Sequence, residues 1–467
     1  MNKYSRREFL ISTTATSIGL NLALHKTMYG EGDSEKPNFI IILADDLGYG
    51  DIGCYGQEQI LTPNIDRLAK EGMLFIDGYA GSTVCAPSRC CLMTGYHTGH
   101  ARVRGNGAVP LAPEDVTIAE VLKSQGYKTT LIGKWGLGEA ETSGIPVLQG
   151  FDEFYGYLNQ VHAHNYYLDF LWRGTEKVKI EGNVLSDTPG VCAKCEQYSH
   201  DLFTQEAINF ITKNKDTSFF LYLAFTIPHA NNELGNVTGN GMEVPNDEPY
   251  SDRPWPQQQK NHAGMITRLD DSVGKIMALL KELGLDQKTV VLFSSDNGPH
   301  KEGGADPEFF KSSGPFKGYK RALYDGGIRV PFIVRWKDKI TAGSKCDVPC
   351  AFWDVLPTFA ELAGAQVPKG IDGISLVPLL YGQDNSAFKN RPLYWEFYEQ
   401  GFKQAMRIDN WKLVKNSMDS PPELYDLNVD KGETNNLAST NPDKCNELLN
   451  ILGSLRVPSP DWKSPLD

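Results

Sequence analysis

Two acidic clusters stand directly behind apolar runs. Asp45 and Asp46 follow Asn38-Phe-Ile-Ile-Ile-Leu43, and Asp296 and Asn297 follow Thr289-Val-Val-Leu-Phe-Ser294. Three carboxylates and one amide are hard oxygen donors, the set that Ca²⁺ or Mg²⁺ takes, and they lack the His and Cys that zinc prefers. Crowded carboxylates repel one another, and a divalent cation relieves that repulsion. An Asp-Asp pair after a strand reads equally as a cap or turn; the second pair tips the reading to a metal. Between the clusters in sequence lies Cys85-Ala86-Pro87-Ser88-Arg89-Cys90-Cys91. Buried thiols at the start of a helix account for Cys90 and Cys91 but leave Pro87-Ser88-Arg89 unexplained.

Such a site needs a scaffold that brings distant strand ends together. Uninterrupted apolar runs ending in polar groups are the pattern of central strands covered on both faces. In open parallel sheets, sites form at the carboxyl ends of the strands. Further apolar runs over 218–224 and 330–334 alternate with helical patterns over 64–71, 117–125 and 265–283. The alternation predicts an α/β fold, a large mixed, mostly parallel sheet flanked by helices. After Leu380, short strand-like pieces over 391–397, 404–407, 411–415 and 424–427 precede a polar terminal helix, which predicts a smaller C-terminal antiparallel sheet packed by a helix. The expected division is 1–34 as an export signal and lead, 35–380 as the catalytic domain and 381–467 as the C-terminal subdomain. Residues 157–188 and 231–259, rich in aromatics, Asn, Pro and Gly without period, read as long loops that build a substrate pocket.

The chain has 467 residues, 46 basic and 58 acidic, for a net charge of −12. It offers no electrostatic footprint for nucleic acid or an anionic membrane surface, so an anionic ligand requires a local cluster of cations. Ser5-Arg6-Arg7-Glu8-Phe9-Leu10 and the mildly apolar stretch to about Leu24 resemble a twin-arginine export signal, too short and too rich in Ser and Thr for a stable membrane anchor. Export implies a periplasmic or extracellular location and the export machinery as a partner. Nine cysteines leave eight once Cys85 is set aside. Their pairing is not readable, and Cys192-x-x-Cys195 reads as a disulfide, a metal half-site or two thiols.

The run Cys85 to Gly95 resembles, in every fixed position, the signature of the type I, formylglycine-dependent sulfatases, arylsulfatase-like members of the alkaline phosphatase superfamily. Other pieces arrive in family order from about Asn38 to Leu437: Ala44-Asp45-Asp46-Leu47-Gly48, Thr62-Pro63-Asn64, Gly133-Lys134-Trp135, Pro228-His229, Ser295-Asp296-Asn297-Gly298, and Lys320 through Gly326-Gly327-Ile328-Arg329-Val330-Pro331. The resemblance implies that Cys85 is oxidised to formylglycine by a formylglycine-generating or sulfatase-maturing enzyme. It implies that Asp45, Asp46, Asp296, Asn297 and the modified Cys85 hold Ca²⁺, with Mg²⁺ second, and that Arg89, Lys134 and Lys320 form the cationic cluster. His229 and Lys320 would meet the leaving group, His229 being the expected proton donor because its ordinary pKa lies nearest the working range. The expected reaction is hydrolysis of a sulfate ester on a carbohydrate.

One position departs from the pattern. Many relatives read Gly-Lys-Trp-His, with the His as a base, whereas this chain has Gly136 there. His164, in the aromatic segment after Gln160, is the expected replacement. Arg104 and His300 lie where the chain can flank the pocket mouth and are candidate substrate contacts, although surface placement reads as well for either. Two other functions remain open: a phosphonate or phosphate ester hydrolase on the same metal framework, and a non-catalytic protein that binds sulfated glycan.

Overall fold

The structure is a computed structural model that describes residues 36–467; the export signal expected over residues 1–34 lies outside the described residues. Ten strands form the main sheet: β1 (Asn38–Ala44), β2 (Met73–Phe75), β3 (Lys128–Lys134), β4 (Glu153–Tyr157), β5 (Phe170–Arg173), β6 (Glu176–Lys179), β7 (Phe219–Ala224), β8 (Thr289–Ser295), β9 (Phe332–Arg335) and β10 (Ser344–Cys346). Their order is β10-β2-β9-β8-β1-β7-β3-β4-β5-β6. The central strands β8, β1, β7, β3 and β4 are parallel, and antiparallel pairs appear only to either side of them.

Alternate residues of β1 point to opposite faces. Phe39, Ile41 and Leu43 join one core cluster, while Ile40, Ile42 and Ala44 join the other. Both faces are therefore apolar, which is why the strand reads as an unbroken hydrophobic run. Helices α1 (Pro63–Glu71), α4 (Ser199–Lys213) and α6 (Gln257–Glu282) cover one face; α2 (Cys85–Thr94), α3 (Ile118–Ser124) and α7 (Val355–Leu362) cover the other. All ten residues of α2 are buried.

Two segments differ from the loop reading. Within 157–188, β5 and β6 extend the main sheet to its edge; the charged residues Glu176, Lys177 and Lys179 on an exposed edge strand hide the strand pattern and discourage edge pairing. Within 231–259 a short helix, α5 (Asn232–Thr238), is capped by the Asn231 side chain, which accepts from the Leu234 N–H. α6 begins at Gln257, eight residues before the predicted start at Met265. Its first turns are polar and are held by tertiary contacts: Gln259 is buried, and its amide donates to the Gly304 carbonyl at 3.0 Å.

The C-terminal strands β11 (Pro392–Phe397), β12 (Lys403–Ile408), β13 (Trp411–Lys415) and β14 (Glu423–Asp426) make an antiparallel sheet. One face, with Tyr394, Met406, Leu413 and Leu424, packs on Cys445, Leu448 and Leu452 of α8 (Pro442–Leu452). The other, with Trp395, Phe397, Ala405 and Val414, belongs to the same core as the main sheet. Residues 37–467 are one compact unit, so the expected boundary after residue 380 marks a change of sheet rather than a gap in packing. Cys192 and Cys195 form a disulfide beside the short ribbon of 184–185 and 192–194, which settles the choice left open for that pair.

Candidate active site

Parallel register gathers the site. Ala44 pairs with Ser295 at the ends of β1 and β8, so Asp45-Asp46 and Asp296-Asn297 leave the sheet side by side. Asp46 adopts a left-handed backbone (φ 64°), which Asp tolerates better than most residues, and its N–H donates to Asp296 Oδ1 at 3.1 Å. The two neighbouring strands on the other side, β7 and β3, pair Ala224 with Gly133. A β-carbon on Gly133 would overlap the Ala224 carbonyl, and its φ is +106°; glycine there lets Lys134 emerge beside the acidic cluster.

α2 starts at Cys85, and the spacing of four residues puts Arg89 one turn along the same face. The Cys85 thiol donates to Asp45 Oδ1 at 3.3 Å. Arg89 donates through Nε and Nη2 to Asp296 Oδ2, at 3.0 and 2.8 Å, and through Nη1 to the Lys134 carbonyl. Lys134 Nζ donates to Asp45 Oδ2 at 2.6 Å. Lys320 Nζ spreads its three protons over Asp46 Oδ2 (2.8 Å), Glu302 Oε2 (3.2 Å) and His229 Nε2 (3.1 Å). Three buried aspartates thus face three buried cations.

Burial pushes the Asp45 carboxyl up, but Lys134 foremost among its neighbours holds it well below the usual carboxylate range. For Asp296, burial and the adjacent Asp45 charge prevail over Arg89 and push the carboxyl up to about 7. The donor set fits a divalent cation by its own chemistry. Asn297 Oδ1 is buried with no hydrogen-bond partner among the described residues, while its Nδ2 donates to Asp46 Oδ1 at 2.7 Å. Ligand atoms of Asp45, Asp46, Cys85 and His229 also lie within 4.8 Å of one another.

The ground for choosing His229 as proton donor does not hold. Burial, with Lys320 beside it, pushes its pKa down to about 3. Its Nδ1 lies 2.7 Å from the Ala230 carbonyl, which can only accept, so Nδ1 carries the proton and Nε2 accepts from Lys320. His229 is a neutral acceptor holding the Lys320 ammonium.

Cys85, His229 and Lys320 line a cavity of about 350 Å³ that also receives His164, Gln160 and Arg321. The His164 ring stacks on that of His229 (centroids 4.8 Å apart, 11° between planes), and its Nδ1 faces Glu233 Oε1 at 3.5 Å. Gln160 was not singled out from sequence. Its side-chain Nε2 fills the space that a β-carbon on Gly136 would enter, and that nitrogen is buried with no hydrogen-bond partner among the described residues. The signal was Gly136 itself, because a missing side chain in a packed site demands that another fill the room. Glu302, which braces Lys320 and Arg321, carries no motif that reveals it.

Two expected substrate contacts are placed elsewhere. Arg104 is 2% exposed, donates to Glu396 Oε1 and the Val457 carbonyl, both at 2.9 Å, and ties the chain beyond α2 to the C-terminal sheet. A guanidinium with a buried carboxylate partner stays with it. His300 lies behind His229, 5.8 Å between ring centroids, with Nε2 donating to the Pro228 carbonyl and Nδ1 accepting from the Glu302 N–H. Neither side chain lines the cavity. Asn106, two residues past Arg104, does line it, and its Oδ1 accepts from the Ala86 N–H in the first turn of α2.

The family description "Sulfatase" matches residues 37–365, and "N-sulphoglucosamine sulphohydrolase, C-terminal" matches residues 316–453. The chain belongs to the sulfatase family and is a sulfuric ester hydrolase. It is 30% identical to human (Homo sapiens) arylsulfatase A over 480 residues, covering 91% of this chain and 88% of that one. It is 32% identical to N-acetylgalactosamine-6-sulfatase of Sus scrofa over 409 residues, covering 82% and 72%. Among solved structures, Ps i-CgsB in complex with k-i-k-neocarrahexaose superposes with a TM-score of 0.78 at 30% identity, covering 92% of this chain and 94% of that one.

Proposed function

We propose that the protein is an exported carbohydrate sulfatase in which Cys85, converted to formylglycine, is the nucleophile and Ca²⁺ is the resident metal. The observation that carries the reading is the convergence of the Asp45, Asp46, Asp296 and Asn297 set and three buried cations around Cys85, which lines the cavity together with Lys320. A sugar substrate is supported by the names of similar proteins, one an N-acetylgalactosamine-6-sulfatase and one holding a carrahexaose. Export rests on the twin-arginine pattern; among the described residues no helix is long and apolar enough to cross a membrane.

When bound, Ca²⁺ would be held by Asp45, Asp46, Asp296, Asn297 and the group at position 85, and would supply positive charge to the oxygens of the reacting ester. As a hydrated aldehyde, position 85 would offer two hydroxyls on one carbon, one to attack sulfur and one to release sulfate afterwards. Arg89 and Lys134, each fixed by a buried carboxylate, neutralise the sulfuryl oxygens. Lys320 Nζ carries the proton for the departing sugar oxygen, and His229 Nε2 with Glu302 aims it. His164, its Nδ1 turned to Glu233, leaves Nε2 as the base for the second step in place of a side chain at position 136.

The test is sulfate release from a panel of position-defined sulfated sugars by protein made with a maturing enzyme, after intact mass has established the state of residue 85. Activity abolished by chelation and restored by Ca²⁺ better than by Mg²⁺ is the expected result. Faster turnover of phosphonate or phosphate esters in parallel would move the protein to the superfamily alternative. Binding of sulfated glycan with no release would make it a lectin-like protein.

A further inference from the structure

Beside the cavity that contains Cys85 lies a second of about 460 Å³, and the two share Glu302, Lys320 and Arg321 as a common wall. For a chain with a net charge of −12 its lining is unexpected: Lys301, Lys317, Lys320, Arg321 and Lys403 face it with Glu302 as the one carboxylate in the lining, while outside the lining Lys317 meets Glu423 at 3.7 Å and Arg321 meets Glu399 at 3.3 Å. That carboxylate is already engaged, by Arg321 at Oε1 and Lys320 at Oε2. Lys301 is exposed, with Nζ 5.8 Å from the centre of the Tyr319 ring and no carboxylate partner among the described residues. Lys403 is half-buried, its Nζ 3.4 Å from the Arg321 carbonyl, and likewise has no carboxylate partner among them. Lys301 and Lys403, in a concavity that other cations share and with no counter-charge of their own among the described residues, are repelled by those neighbours, and an anion relieves that cost.

Two further features point to a sugar-borne anion. Tyr319 lines the same cavity and is 37% exposed, so an aromatic face is open to the apolar side of a sugar ring. Arg321 and Gln400, both in the lining, hold left-handed backbones (φ 72° and 62°). Such conformations are strained in a residue with a β-carbon and cluster where ligands are held. Consecutive residues Lys320 and Arg321 form the partition between the cavities, so a ligand could run past them from one to the other.

We propose that this second cavity binds a further anionic substituent, a sulfate or a carboxylate, on a sugar next to the one that loses its sulfate. The substrate is then an oligosaccharide carrying at least two negative groups. The proposal rests on the sulfatase reading above and names the substrate class that reading leaves open.

Three oligosaccharides with the same reacting sulfate test it, the neighbouring sugar being neutral, sulfated or carboxylated. The wild-type protein is expected to favour a charged neighbour in kcat/KM by roughly fivefold or more, and the preference should shrink as salt rises. Lys301→Gln combined with Lys403→Gln is expected to bring the ratio close to one. Lys301→Gln alone, at an exposed position where folding is not at stake, should lower it part of the way. A wild-type ratio of one, or the same ratio in wild type and double variant, overturns the proposal. A preference confined to one of the two charged neighbours identifies that group as the ligand. Failure of the sulfatase reading looks different, since none of the three would then release sulfate. In that event equilibrium binding to the wild-type chain reads the cavity directly: tighter binding of the charged oligosaccharides upholds it, and equal binding of all three overturns it.

Discussion

The side-chain amide of Gln160 occupies the space into which a side chain at position 136 would project. The two positions are a matched pair, glycine with a left-handed backbone (φ 78°) on one side and, on the other, a buried amide nitrogen with no hydrogen-bond partner among the described residues. Gly136→His by itself is expected to clash with Gln160 and to lower both thermal stability and sulfate release. Adding Gln160→Ala should return part of both. A double-mutant cycle should give a coupling of about 1–2 kcal/mol; simple additivity would mean that the two positions are independent.

Cys85→Ser keeps one hydroxyl at the head of α2 but cannot offer a second on the same carbon. Incubation with a sulfate ester is expected to leave a stably sulfated protein, seen as an added sulfuryl group by intact mass, with no sustained turnover. Multiple rapid turnovers by this variant would refute the proposed nucleophile.

The placing of the transferred proton on Lys320 predicts a dependence on the leaving group. Lys320→Ala should slow release from a sugar sulfate by about a hundredfold or more, the usual scale of a general acid. An activated aryl sulfate, whose phenolate needs no proton, should suffer much less. Equal losses on both substrates would assign Lys320 to charge stabilisation alone.

His164 reaches the cavity as the expected replacement base, with Glu233 to orient it. His164→Ala is expected to build up sulfated enzyme in quench-and-mass experiments, because only the second step is slowed, and Glu233→Gln should do the same to a smaller degree. Wild-type turnover by His164→Ala would remove it from the mechanism.

Stability should fall on mild acidification through buried histidines away from the site. His200 is fully buried, hydrogen-bonded through Nε2 to Ser272 Oγ at 2.8 Å, and burial pushes its pKa down to about 3. The folded value lies below the unfolded one, so the unfolded chain binds the extra proton first. The stability is therefore complete above about pH 6.5 and is lost as pH falls toward 3. At pH 5 the loss from this residue is on the order of 2 kcal/mol. The difference in melting temperature between pH 7 and pH 5 should accordingly be smaller for His200→Gln than for wild type.

The α/β class and the central strands were legible because both faces of β1 and β8 are covered, which writes an unbroken apolar run into the sequence. The start of α6 was not legible because its polar residues are held by partners distant in the chain, such as the Gly304 carbonyl on Gln259, and β5 and β6 were not because charged residues on an exposed edge strand hide the alternation. Arg104 shows the same limit: its buried partner Glu396 is 292 residues away, and no local spacing announces it.

By itself the sequence determined which chemical groups the protein has: the thiol at 85, four oxygen donors behind two apolar runs, and Arg89 one helical turn from Cys85. Those features are local, and a strand end or a four-residue helical spacing carries them through to the fold. The tertiary structure alone decided how the groups share protons and space. It made His229 a neutral acceptor for Lys320, put Gln160 where position 136 is empty, drew Arg104 away to Glu396, and set Lys301 and Lys403 around a second cavity with no carboxylate partner among the described residues. Burial and partners distant in the chain fix protonation and packing, and neither is a property of any short stretch of sequence.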